Sequence, residues 1–481
     1  MRRALLFAPL VALAGCAGME PEGRILTRPE ALRLEPPARP DLARLRAELA
    51  GRPTPRPTAV RLLRRPLAAL PYLSRRSRAD VEALGRARGR PAEALVLAAG
   101  SGELRALAAR FGDPRLACRK RRCRLAAPLF VAAGAVLVVR EVELVLEAQG
   151  GALLAVAGRL VVDRARIRGV EGGAPARFRD PDRFRPFIAV YEGGSAFIRE
   201  SALEHLGYAA PLAYGLSFGR AVRDPPNARP PPTGAIFRSR LEGLYYAFYS
   251  HQAEGVVILD NRVEDSIHYG IDPHDDSRRL VIAGNLVTGT RERHGIILSR
   301  RVTDSWILDN ISIDNGTSGI VLDRWSGDHL VAGNLVRGNR GDGIAVYESD
   351  RLWLVANRVE DNGRVGVRVR NSRGVMLIAN RIRNNRTYGL LAYTGEAPGR
   401  EVEAPVVRRT SLGLRDNLWT GNGKAELALR GAVTALLLQA APRRHPLSGS
   451  LHAPRLRAPA PWRRALESLP PGFSGRLTTA P

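Results

Sequence analysis

The chain has 481 residues, 45% hydrophobic and 25% charged, with 34 prolines and 48 glycines. That composition excludes a disordered chain and promises a fold with many turns. Basic residues outnumber acidic ones 74 to 47, giving a net charge of +27 that is almost all arginine, since lysine occurs only at Lys120 and Lys424. Such a field concentrates a polyanion, and the guanidinium fork pairs bidentately with carboxylates, so an acidic partner is expected.

The first residues, MRRALLFAPLVALAGC, place Arg2 and Arg3 before an apolar run that ends in Leu13-Ala14-Gly15-Cys16. The run is too short to span a bilayer and reads as a secretion signal over 1–16, with an ending that resembles a bacterial lipobox. The expectation is a periplasmic chain, lipidated at Cys16 and anchored to the outer membrane through it, with no later spanning segment. Cys118 and Cys123, in ACRKRRC, are then expected to form a disulfide. Two thiols with no nearby His supply half a tetrahedral shell, so no metal and no cofactor is expected.

Residues 17–78 are rich in Pro and Arg with weak periodicity and read as a tether, with little order expected over 17–60. The segment 79–122 mixes helix-forming stretches with an N-cap at Ser101, suggesting a small helical cap over the first coil of a solenoid. From 123 the pattern changes to short apolar runs, LFVAAGAVLVV, VELVLEA and RLVVDRARIRG, which read as strands.

A repeat then emerges. Asn followed two positions later by an apolar residue recurs at Asn261, Asn285, Asn310, Asn334, Asn357 and Asn380, at intervals of 24, 25, 24, 23 and 23 residues. Gly followed by an apolar residue recurs in step at Gly270, Gly295, Gly319, Gly343, Gly366 and Gly389. Each unit holds two or three short strands and no helix, so it is one coil of an all-β, right-handed parallel β-helix spanning 123–440. Stacking places equivalent residues about 4.8 Å apart, which lets the asparagines bond to one another as a core ladder, with Ser239 and Ser201 in the same slot of earlier coils. Pro- and Arg-rich insertions at 176–187 and 223–234 should rim a binding surface, and 441–481 is a Pro-rich tail.

Aligned on the glycines, the fourth position gives His274, Ser299, Asp323, Tyr347, Arg370 and Tyr393, and the fifth gives Asp275, Arg300, Arg324, Glu348, Asn371 and Thr394. Alternation points positions one and three inward and two and four outward, so these polar columns form an outer face suited to an extended anionic chain. Pro273 interrupts a strand filled by Leu or Val in neighbouring coils, so the backbone should bend there and present its neighbours. An imidazole between two carboxylates, Asp272 and Asp275, suits a general base.

The stretch YGIDPHDDSRRLVIAGN, continued by HGIILSRRVTDSWI, GIVLDR and GDGIAVYES, resembles the periplasmic mannuronan (alginate) C-5-epimerases, whose hallmark is a DPHD motif on a parallel β-helix. The resemblance covers 120–430. It implies that His274 abstracts a proton, that Arg300 neutralises the substrate carboxylate, and that Tyr269, Asp272 and Asp275 form the supporting, substrate-binding shell. Arg324 and Asp323, one coil on, would hold the next sugar. The substrate implied is polymannuronate or a related uronan, with an exopolysaccharide export complex as a further partner; the lipobox departs from the family's ordinary cleaved signal. A uronan lyase shares the base and the neutraliser, and a non-catalytic glycan-binding β-helix is the reading from another class. Nucleic acid is disfavoured by the export signal and by the absence of an aromatic stacking platform in the sequence.

Overall fold

The computed structural model describes residues 36–70, 73–89, 92–220, 230–396 and 409–437. Cys16, the tail 441–481 and most of the 223–234 insertion lie outside them. Among the described residues the apolar runs stack into three long sheets of 14, 13 and 14 strands, parallel except where Arg61–Pro66 pairs with Glu93–Ala99, at the hairpin of Leu116–Arg119 with Arg122–Leu125 and at the short strand Ala174–Pro175. Each coil supplies one strand to each sheet in turn: Tyr269–His274 to the first, Val281–Ala283 to the second and Leu286–Thr288 to the third, before the chain returns to the first at Ile296–Ser299. This is the right-handed parallel β-helix expected, and its core is the inward column of Ile271, Ile296, Leu298, Ile320 and Leu322, all fully buried.

The asparagine ladder is present at the corner between the second and third sheets. Asn334 donates through Nδ2 to the Ile307 carbonyl and to Asn357 Oδ1, both at 2.9 Å, and its backbone N–H donates to the same Asn357 oxygen at 3.0 Å. The same pattern runs on to Asn417, while Ser239 and Ser201 continue the slot upstream. A second ladder, Asn315, Asn339, Asn362, Asn385 and Asn422, turns the corner between the third and first sheets. Together the ladders satisfy corner N–H and C=O groups that the strands cannot reach. The glycine marker has a different cause: a Cβ on Gly270 would sit 2.3 Å from the Gly295 carbonyl oxygen of the next coil, so only glycine lets the coils close.

The N-terminal third departs from expectation in three ways. Residues 36–60 are not a loose tether: α1 (Leu42–Gly51) lies on the outer face of the second sheet with Leu42, Leu45 and Leu49 packed on an apolar cluster that includes Phe237, Leu259 and Leu308. Its Arg46 binds Asp260 bidentately at 2.7 and 2.8 Å, and Trp306 donates to the Ala38 carbonyl. The sequence hid this apolar stripe among Arg and Pro. Ser101 caps no helix; it opens a short strand, and α3 (Leu104–Phe111) starts after Glu103 without a side-chain cap, whereas Ser74 caps α2 (Arg75–Arg86). Finally, the parallel stack of the first sheet begins at Glu93–Ala99, which pairs in parallel with Pro128–Val131 and carries Arg61–Pro66 antiparallel on its outer edge, so the solenoid starts about one coil before residue 123. Cys118 and Cys123 face each other across an antiparallel hairpin and form a disulfide.

Candidate active site

The strand Tyr269–His274 lies in register with Tyr246–His251 of the preceding coil, setting Tyr249 beside Asp272 and His251 beside His274. Toward the next coil the pairing is thinner, with only Ile271 opposite Ile296 and His274 opposite Ser299, as a proline without an N–H requires. The chain then leaves the sheet through two successive left-handed residues. Asp275 and Asp276, Arg300 and Arg301, and Arg324 and Trp325 all have φ between 36° and 62°, so the charged groups of successive coils are launched from one repeated corner.

At that corner His274 Nδ1 lies 2.5 Å from an Asp275 carboxylate oxygen. With Asp275 accepting from Nδ1–H, the ring keeps Nε2 as its basic nitrogen. Burial opposes a charge on His274, but the Asp275 hydrogen bond and the carboxylates of Asp272 and Asp275 outweigh it and raise its pKa above the ordinary histidine value. Burial likewise pushes Asp275 up, and the bond to His274 with the nearby cations overcomes this and lowers it. Asp272 is the anomaly. It is only 2% exposed, its Oδ1 has no hydrogen-bond partner, and burial together with Asp275 and Asp323 lifts its pKa to about 7 against the pull of His274.

The two arginines of the motif's neighbourhood sit on the same edge. Arg300 Nη1 is 3.9 Å from Asp275, and Arg324 Nε is 3.8 Å from Asp323, both beyond hydrogen-bond length. The next cations along the groove are locked to carboxylates: Arg370 binds Glu348 at 2.8 and 3.0 Å, and Arg368 binds Asp342 at 2.6 and 2.9 Å. Between these edges the outward second position is not polar. Ile297, Val321 and Ala345 form an apolar floor flanked by Tyr269 and Tyr347.

The structure thus brings together Tyr269, Asp272, His274, Asp275, Arg300, Asp323 and Arg324 over three adjacent coils. It corrects their exposure: the outward face is half-buried, with Asp272 and Asp323 buried outright. The cover is an aromatic cluster that sequence reading missed. Tyr214 stacks on Tyr246 with ring centres 4.6 Å apart, Tyr249 lies 5.8 Å from the His274 ring, and Tyr246 meets Tyr269 edge-on. Burial raises the pKa of Tyr214 and of Tyr269 to about 12, so both stay neutral donors at physiological pH. The signal for it was the run LEGLYYAFYSH one coil upstream of the motif, whose aromatics fall in register with it. Among the described residues, no group of three or more His, Cys, Asp or Glu side chains is placed to hold a metal ion.

Known proteins resemble this chain in sequence and in fold. The family model of the periplasmic copper-binding protein NosD matches residues 232–324 and 302–397. A mannuronan C5-epimerase of Pseudomonas putida is 43% identical over 228 residues, 45% of this chain and 43% of the relative. The mannuronan C5-epimerase AlgG of Azotobacter vinelandii is 35% identical over 342 residues, 69% of this chain and 64% of the relative. The crystal structure of the periplasmic alginate epimerase AlgG superposes with a TM-score of 0.76 at 28% identity, over 84% of this chain and 99% of that one. The chain is similar to the mannuronan C5-epimerases both in sequence and in fold. Sequence alignment spans 43% and 64% of the lengths of these two curated epimerases, and the likeness in fold extends over 84% of this chain.

Proposed function

We propose that the chain is a mannuronan C5-epimerase that inverts β-D-mannuronate to α-L-guluronate within a polymer. The observation that carries this reading is the His274–Asp275 pair set on the same corner as Arg300, one coil away. Proton abstraction at carbon 5 places an electron pair beside a carboxylate, and this is prohibitive while that carboxylate keeps its charge. Arg300 pairs with the carboxylate and stabilises the enediolate as it forms, an interaction that is stronger in the transition state than in the ground state. The C5–H bond breaks, its electrons enter the enediolate and its proton goes to His274 Nε2. Collapse of the enediolate then takes a proton at carbon 5 from the opposite face, delivered by water or by another side chain.

The remaining groups bind. The apolar floor and the tyrosines take the sugar faces, while Arg324, with Asp323 beside it, holds the neighbouring residue's carboxylate. The chain works in the periplasm on an anionic polysaccharide, held at the outer membrane by lipid on Cys16 and served by an export complex. Incubating the protein with polymannuronate in heavy water tests the reading. Guluronate signals with solvent deuterium at carbon 5 and unchanged chain length support it. Unsaturated ends absorbing in the ultraviolet identify a lyase instead, and binding without turnover overturns enzymatic activity.

A further inference from the structure

A second concave surface lies at the corner between the second and third sheets, across the solenoid from the sheet that carries His274. It is a groove of about 1370 Å³, built from the turn residues of successive coils and closed at one end by the hairpin Leu116–Arg119 and Arg122–Leu125. Ten basic side chains and five carboxylates line it. Some of these charges are matched on the walls, as where Arg164 meets Glu141 at 2.9 Å. The hairpin tip is not. Arg119 and Lys120 are exposed and have no ion pair among the described residues, Arg121 reaches Glu141 only at 3.9 Å, and Arg238 lies 4.7 Å over the Phe237 ring without a carboxylate partner there.

Of the four consecutive cations Arg119 to Arg122 the last meets Glu143 at 3.3 Å, while the first three repel one another at a tip that the Cys118–Cys123 disulfide holds in one tight hairpin. A repulsive cluster fixed in place is relieved by an anion and loses little entropy on meeting one. The groove is concave and runs across coils spaced about 4.8 Å apart. A linear chain with one carboxylate per sugar fits that shape and charge, whereas a flat lipid surface reaches only its rim.

We propose that this groove is a second docking site for polyuronate, which tethers a long polymer while another stretch of the same chain occupies the His274 face. The inference rests on the polyuronate reading above. The two faces are separated by the body of the solenoid, so the tether acts through local concentration and requires a chain long enough to reach both.

The test compares wild type with the triple variant Arg119→Glu, Lys120→Glu, Arg121→Glu, after circular dichroism and thermal melting confirm an intact fold. A second variant with Gln at the three positions removes charge without inverting it. Both should raise KM for high-molecular-weight polymannuronate about tenfold, a modest avidity loss, with kcat kept and with turnover of a mannuronate hexamer unchanged. Unchanged KM on the long polymer overturns the proposal, and so does an equal loss on polymer and hexamer. Binding of long polymannuronate to His274→Asn, with and without the tip substitutions, is read separately by sedimentation. Tip-dependent binding together with no epimerisation by the wild type leaves the groove standing and sinks the catalytic reading; normal wild-type epimerisation with tip-independent binding does the reverse. Tip-dependent binding to vesicles of anionic phospholipid, but not to polymannuronate, also overturns it.

Discussion

Replacing His274 by Asn separates chemistry from stability, and the structure sets both magnitudes. The variant loses the proposed base, and removal of a positioned general base costs about 10² to 10⁴ in rate, or roughly 3 to 5.5 kcal/mol in barrier. Stability falls as well, because His274 is half-buried and its 2.5 Å contact with Asp275 disappears. Among the described residues the Asp275 carboxylate then keeps contacts of 3.8 to 3.9 Å with Arg301 and Arg300, a penalty of about 1 to 3 kcal/mol, larger than the roughly 0.5 kcal/mol typical of a surface site. Asn donates through Nδ2 and should hold the loss toward the lower figure. Proton spectra of polymannuronate conversion give the rate, urea unfolding gives the stability, and binding of polymer should persist. A folded variant that keeps a tenth of wild-type turnover, equivalent to about 1.4 kcal/mol, would show that His274 is not the essential base and would move attention to Tyr269 or His251.

Asp275→Asn removes a charge that raises the His274 pKa while burial continues to lower it, so the folded histidine loses its proton at lower pH. Because the base must be unprotonated, the acid limb of the kcat/KM profile should move to lower pH; an unmoved limb contradicts the pairing. Arg300→Ala should lower kcat and kcat/KM together, whereas Arg324→Ala should mainly raise KM, and equal losses of kcat from both would overturn the division of roles. Asn334→Ala removes two donated bonds and strands the Asn310 amide groups that donate to Asn334 at 2.9 and 3.0 Å, so urea unfolding should show a loss of about 3 kcal/mol or more; a loss under 1 kcal/mol refutes the ladder's structural role.

The fold was legible because two periodic markers report two different steric demands. The asparagines mark corner groups that need a side-chain partner, and the glycines mark coils too close for a Cβ. The charged columns were legible for the same reason, since stacking fixes their register. The features that stayed hidden depend on contacts between segments without a common period. Tyr214 reaches the site from the turn Gly207–Tyr214, and α1 docks by a short apolar stripe embedded in polar sequence. The outward second position also misled. Alternation tells which way Ile297 and Val321 point, but not that tyrosines cover the charged strand beside them.

The strap formed by α1 alters how the solenoid can come apart. A stack of coils joined only to nearest neighbours can open locally at any interface and fray from its ends. Here Arg52 lies over Phe197, Arg199 donates to the Ala50 carbonyl, Arg46 binds Asp260, and Trp306 holds Ala38, so one continuous segment rivets coils before and after the DPHD strand to each other. Opening the interface at His274 must also peel the strap. Amide exchange along Tyr269–His274 should then follow the unfolding of a block reaching from Phe197 to Trp306, which gives the coil of His274 a rigidity that its thinned backbone pairing at Pro273 could not provide alone.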